Sequence, residues 1–92
     1  MSIFNFTGII VSEDGAFSSL CPELDVASQG DSVEEAKTML LEAVTLYLEG
    51  AIEDGLPYLR LISPEEDPRK TAPDQIVETF DLKVDIAIHA YA

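Results

Sequence analysis

Between Gly30 and Pro57 the chain spells out one long helix, with a chemical signal at each end. Ser32 and Glu35 stand three residues apart. The Ser32 hydroxyl can accept from the Glu35 N–H while the Glu35 carboxylate reaches back to the Ser32 N–H, which is the capping-box pattern. Asp31 is an alternative cap, one residue earlier. Asp31, Glu34 and Glu35 also place negative charge at the positive end of the helix dipole, each contributing ~0.3–1 kcal/mol. Val33, Ala36, Met39, Leu40, Ala43, Val44, Tyr47 and Leu48 recur at three- and four-residue spacing, a stripe that must pack on something apolar. Thr38, Glu42, Thr45 and Glu49 fall on the other side. The pattern runs on through Ala51 and Ile52 to Asp54 despite Gly50. Gly55 then ends it as the residue after the cap, with Pro57 preventing continuation.

A helix with a single apolar stripe needs a second layer, and the flanking segments read as strands. Ile3 to Ser12 is rich in Ile, Val, Phe and Thr; Glu13-Asp14-Gly15 is a hairpin turn; Ala16 to Cys21 returns. Pro22 cannot donate to a ladder, so the second strand ends or bulges there. Leu24 to Gln29 is a short third strand. Within Ile76 to Tyr91 lies the clearest strand of all: Phe80, Leu82, Val84, Ile86, Ile88 and Ala90 alternate with Asp81, Lys83, Asp85, Ala87, His89 and Tyr91. Such a strand should join the sheet along its length or extend onto a neighbouring subunit. Leu56 to Ile62 is apolar enough to tuck against the core. Ser63 to Asp74, with three prolines among charged residues, predicts a mobile loop. The expected fold class is α+β: a three-stranded antiparallel meander, one long helix packed on the sheet, and a C-terminal strand (β-β-β-α-β), in a single domain over residues 1–92.

A chain of 92 residues buries only about 60–65% of its unfolded surface, and a core that small is often supplemented by oligomerisation. Cys21 is the one cysteine, which excludes an internal disulfide and a cysteine-based zinc site and fits a reducing, cytoplasmic setting. The opening Met1-Ser2-Ile3-Phe4-Asn5-Phe6 lacks the basic region of a signal peptide, and no run reaches the ~18–20 apolar residues of a membrane span. Eighteen acidic residues against five basic ones give a formal charge of −13. That balance opposes direct binding to nucleic acid, whose backbone is held by Lys and Arg. It fits either simple solubility or a basic partner, and charge alone does not separate the two.

Residue chemistry gives no catalytic, cofactor or metal site. His89 is the sole histidine, on the polar face of the last strand with Asp85, and reads as an exposed or interfacial structural residue. Cys21 has no adjacent cation to lower its pKa and reads as a buried structural thiol. Glu23, Asp25, Asp31, Glu34 and Glu35 cluster in sequence, but the spacing matches no calcium loop and capping explains the last three. No phosphate loop or nucleophile elbow is present. The acidic run Glu65-Glu66-Asp67 before Arg69-Lys70 reads as a solvated loop. The feature that does invite a partner is the edge of a small sheet, with its unpaired N–H and C=O groups.

Taken in order, the hairpin at Glu13-Asp14-Gly15, then Cys21-Pro22-Glu23-Leu24, Ser28-Gln29-Gly30-Asp31-Ser32-Val33-Glu34-Glu35-Ala36, Leu41-Glu42-Ala43 and Leu46-Tyr47-Leu48 resemble the N-terminal domain of HicB-type antitoxins. The likeness spans about half the chain. It implies a β-β-β-α-β domain that forms dimers or tetramers and binds a small basic, mRNA-cleaving HicA-type toxin, covering its RNA-binding surface and catalytic histidine. A homo-oligomeric binding or regulatory module with no toxin partner is the alternative. Many family members add a C-terminal DNA-binding helix-turn-helix or ribbon-helix-helix. This sequence stops at Ala92 directly after a strand, so operator binding is not expected. The Ser63–Asp74 segment has no counterpart in the family pattern. No toxin-contacting residue belongs to the shared motif, so the resemblance transfers no site residue.

Overall fold

A computed structural model describes residues 2–86 of the chain. Strands β1 (Ser2–Glu13), β2 (Ala16–Cys21) and β3 (Val26–Gly30) precede helix α1 (Val33–Glu53), and β4 (Ile76–Ile86) follows. All neighbours in the four-stranded sheet are antiparallel, in the order β3-β2-β1-β4. This is the β-β-β-α-β fold expected from the residue pattern. The expected continuation of the last strand to Tyr91, with His89 on it, lies outside the described residues.

The β1–β2 hairpin closes in two residues, with Glu13 opposite Ala16. Asp14 (φ 44°) and Gly15 (φ 84°) both take the left-handed conformation of a type I′ turn, whose twist matches that of paired strands. The third strand starts at Val26, two residues later than the sequence suggested. Pro22 to Asp25 instead form a turn in which the Leu24 N–H donates to the Cys21 carbonyl (3.2 Å) and Asp25 sits at φ 53°. The turn drives Leu24 into the core, where it is fully buried.

The helix begins as expected, with one change. Ser32 Oγ accepts from the Glu35 N–H (3.0 Å), but Glu35 Oε1 accepts from the Asp31 N–H (2.9 Å), one residue before the donor anticipated. At the other end the Gly55 N–H donates to the Ile52 carbonyl (3.1 Å) and the Leu56 N–H to Ala51 (2.8 Å), the paired bonds of a Schellman motif. Leu40, Val44 and Leu48 bury against Phe6, Cys21, Leu24, Leu82, Val84 and Ile86. Met39, counted in the stripe by spacing, emerges on its flank and is exposed. The Phe80 ring lies directly over Gly8, its cross-strand partner, in the space a Cβ would need.

Helix α1 and β4 are joined by a crossover that departs from both expectations for it. Only Tyr58 of Leu56–Ile62 reaches the core, edge-on to Phe4 and Phe6 with ring centroids 5.6 and 6.5 Å away. Leu56, Leu59 and Leu61 are exposed. The backbone dictates this: the Arg60 N–H donates to the Glu23 carbonyl (2.8 Å) and the Ile62 N–H to Pro22 (3.1 Å), which fixes the segment as an extended ribbon against the β2–β3 turn. The segment read as a loop, Ser63–Asp74, is a series of single helical turns: Pro64–Glu66, Pro68–Thr71 and Pro73–Gln75. Each turn opens on a proline, whose fixed φ suits the first helical position and whose missing N–H is not needed there. The last turn contacts β1. Ile9 and Val11, which strand alternation points away from α1, are buried as well.

Two carboxylates hold this arrangement. Where Pro22 ends β2, the Glu23 carboxylate takes over: Thr7 N–H donates to both its oxygens (3.0 and 3.1 Å), and Thr7 Oγ1 donates to Oε2 (2.8 Å). Asp67, only 6% exposed, accepts from the Arg69 N–H (2.9 Å) and from its guanidinium (2.8 to 3.2 Å). Hydrogen bonds from Arg69 hold the Asp67 carboxyl below the usual carboxylate range, outweighing its partial desolvation.

Three outcomes are expected. Glu23→Ala strips a charged acceptor from a half-buried N–H and hydroxyl, and should cost about 2–3 kcal/mol in urea unfolding with an unchanged m-value. Gly8→Ala should cost about 1–3 kcal/mol, and much of that loss should vanish in a Phe80→Leu background, where the ring is gone. Asp67→Asn should lower stability by about 1 kcal/mol at neutral pH, a figure reduced for the half-exposed Arg69 head. Because the folded pKa of Asp67 is depressed, its contribution is complete above the unfolded value and fades as pH falls through the folded one. The gap between wild type and Asp67→Asn should therefore close in acid, as read from urea midpoints along a descending pH series.

Candidate interaction surface

The residues that sequence reading singled out for chemistry are scattered by the fold into structural roles. Cys21 is fully buried with its Sγ 3.7 Å from Glu23 Oε1. Burial, and then the Glu23 charge, push its thiol up to about 12, so it is neither nucleophile nor ready ligand. Glu23 is turned to Thr7, Asp25 to Arg60, and Asp31 and Glu35 to the helix start. Among the described residues no group of three or more His, Cys, Asp or Glu is placed to hold a metal ion. No helix among them is long and apolar enough to cross a membrane. The role of Glu23 is what sequence reading missed. Its signal was present: a proline ending one strand early leaves its neighbour an unmatched N–H, and the next residue is an acceptor.

A shallow groove of about 360 Å³ opens beside the C-terminal end of α1, lined by Tyr47, Ala51, Asp54, Leu56, Leu59 and Arg60. Two of its polar side chains are engaged in the scaffold. Tyr47 Oη donates to the Tyr58 carbonyl (2.8 Å), and Arg60 Nε donates to the Leu24 carbonyl (3.3 Å) while its guanidinium stacks 5.0 Å from the Tyr47 ring. No nucleophile, base and orienting group converge there.

The outward face of α1 is more distinctive. Glu35, Glu42 and Glu49 recur every seven residues and are exposed, and Glu53 continues the ridge. Exposed Met39 and Leu46, the latter 68% exposed, run alongside. Three of the five cations are already engaged elsewhere. Lys37 pairs with Glu78 and sits 5.0 Å over the Phe80 ring, Arg69 pairs with Asp67, and Arg60 lies 3.9 Å from Asp25. The ridge therefore keeps its charge, and an acidic ridge beside an apolar one suits a basic protein surface.

The second accessible feature is the outer edge of β4, which among the described residues carries no further strand. The two-residue hairpin makes Glu13 and Ala16 a hydrogen-bonded pair, so odd-numbered β1 residues bond β2 and even-numbered ones bond β4. The Thr7 N–H, directed to Glu23 on the β2 side, agrees. Phe6 opposes Leu82, so even-numbered β4 residues bond inward. Thr79, Asp81, Lys83 and Asp85 thus turn their N–H and C=O groups to the open edge.

No family model matches the chain. A UPF0150 protein of Synechocystis sp. (strain ATCC 27184 / PCC 6803 / Kazusa) is 45% identical over 56 residues, covering 55% of this chain and 78% of the relative. The crystal structure of the antitoxin HicB from Burkholderia pseudomallei superposes with a TM-score of 0.67 at 21% identity, over 97% of this chain and 73% of that one. A chain of a toxin–antitoxin complex from Streptococcus pneumoniae gives a TM-score of 0.67 at 17% identity, over 91% and 70%. The fold implied by the Cys21–Leu48 motifs is thus the fold found. The chain belongs to the UPF0150 family and has the fold of the HicB antitoxin.

Proposed function

We propose that this protein is an antitoxin: a non-enzymatic, cytoplasmic domain that binds and masks a small basic mRNA-cleaving toxin of the HicA type. The observation that carries this reading is the uncompensated acidic ridge of α1, Glu42, Glu49 and Glu53, on a scaffold with the HicB fold. A ribonuclease surface that grips RNA must be basic, so a domain that occludes it gains by presenting fixed negative charge. Met39 and Leu46 beside the ridge supply the apolar contact that charge alone lacks. The same charge keeps the domain itself off nucleic acid. The exposed β4 edge favours a second property, self-association, which stands whether or not a toxin is bound.

Co-expression with the product of an adjacent short reading frame should yield a complex that co-purifies and suppresses RNA cleavage. Association should slow with added salt, and Glu42→Lys with Glu49→Lys should slow it by about tenfold or more while leaving the fold intact. If no stable complex forms with any adjacent toxin-sized product, the antitoxin reading fails and the homo-oligomeric module remains.

A further inference from the structure

Leu56, Leu59 and Leu61 of the crossover ribbon are 59%, 64% and 76% exposed. Single apolar residues scattered over a surface are ordinary, but three on one short segment mark a place where something docks. The fold does not need them there. Alternation turns Tyr58, Arg60 and Ile62 towards the domain: Tyr58 packs on Phe4 and Phe6, Arg60 lies over Tyr47, and Ile62 is half-buried. Leu59 and Leu61 are left on the opposite side. We infer that this ribbon, with the groove beside the C-terminal end of α1, is a docking site for an extended basic segment of another protein, which adds to the ribbon as a strand.

The backbone is what calls for an extended occupant. Arg60 and Ile62 both direct their N–H groups to the Pro22–Glu23 corner. In an extended chain the residues between them face the other way, so Leu59 and Leu61 turn their N–H and C=O groups outward. Among the described residues neither N–H is bonded to another backbone group. Donors and acceptors of this kind recur about 6.6 Å apart, every second residue, which is the repeat of a second strand. A helix or a compact small molecule offers no such row.

The charge around the ribbon sets the chemistry of that strand. Helix α1 ends in Glu53 and the cap residue Asp54, with no basic residue in its last turn. Carboxylates thus stand at the negative pole of the helix dipole, where cations are favoured. Asp54 lines the groove, and among the described residues neither it nor Glu53 has an ion-pair partner. Arg60 lines the groove too, but its guanidinium is held over the Tyr47 ring and donates to the Leu24 and Asp25 carbonyls. A Lys or Arg of the bound segment therefore meets an unpaired carboxylate and the helix pole together. Its alternate apolar side chains cover Leu59 and Leu61, and one enters the groove between Ala51 and Leu56. The site uses neither Glu42 nor Glu49, so it does not rest on the antitoxin reading.

The test is selection of random linear peptides against the full chain, followed by fluorescence anisotropy of the enriched sequences. These should alternate large apolar residues with Lys or Arg. Leu59→Ser with Leu61→Ser should weaken binding by about tenfold or more, and so should Asp54→Lys. Met39→Ser with Leu46→Ser, on the outward face of α1, should leave it unchanged; circular dichroism confirms that each exposed substitution keeps the fold. Methylating every second backbone nitrogen of the peptide should abolish binding in one phase and spare it in the other, because only one edge of the added strand bonds the ribbon. Amide exchange at Leu59 and Leu61 should slow in the complex. Failure to enrich any peptide, enrichment of acidic ones, or equal binding by the Leu59→Ser, Leu61→Ser variant overturns the assignment. So does loss of binding in the Met39→Ser, Leu46→Ser variant, or indifference to both methylation patterns. Toxin capture is measured separately by co-expression, and neither result decides the other.

Discussion

The corner at Pro22 and Glu23 is the point on which the rest of the structure turns. Proline ends β2 because it has no N–H to give the ladder, and β1 is then longer than its partner. The Glu23 carboxylate fills the shortfall through Thr7, using a charged acceptor where the ladder would have offered a carbonyl. Everything nearby depends on that placement. Leu24 enters the core, the Pro22 and Glu23 carbonyls receive the crossover strand at Ile62 and Arg60, and Arg60 closes over the turn. An exposed corner would have left each of these groups to water.

The domain separates its charges by use. Three of its five cations are paired within the domain, with Glu78, Asp25 and Asp67, while the helix ridge stays acidic. The acidic surface and the acidic corner therefore look alike in composition but differ in consequence. Glu23 is consumed in backbone bonding; Glu42 and Glu49 are available to a partner. The groove beside α1 brings no nucleophile, base and orienting group together, and among the described residues no group of three or more His, Cys, Asp or Glu is placed to hold a metal ion.

Much of the fold was legible from local chemistry. The Ser32–Glu35 box, the Gly55 end, the Asp14-Gly15 turn and the period-two alternation of Phe80 to Ile86 each act over a few residues, so sequence alone expresses them. The crossover was not legible. Leu56, Leu59 and Leu61 are apolar and yet exposed, because their backbone is held by the distant Pro22–Glu23 corner. Prolines 64, 68 and 73 read as loop breakers, but each starts a helical turn. The shift of the Glu35 bond from Ser32 to Asp31 is smaller and of the same kind: spacing names the acceptor, and the local path of the chain chooses the donor.

Element order, the helix limits, the alternation of the last strand and the family likeness are all readable from residue order, since they rest on interactions between near neighbours. Tertiary structure alone decided which acidic residues are structural and which are free to meet a partner. It also decided that β4 lies at one edge of the sheet, beside β1, with β3 at the other. Those outcomes depend on residues far apart in the chain, Thr7 with Glu23 and Phe6 with Leu82, and long-range contact leaves no periodic mark in a sequence.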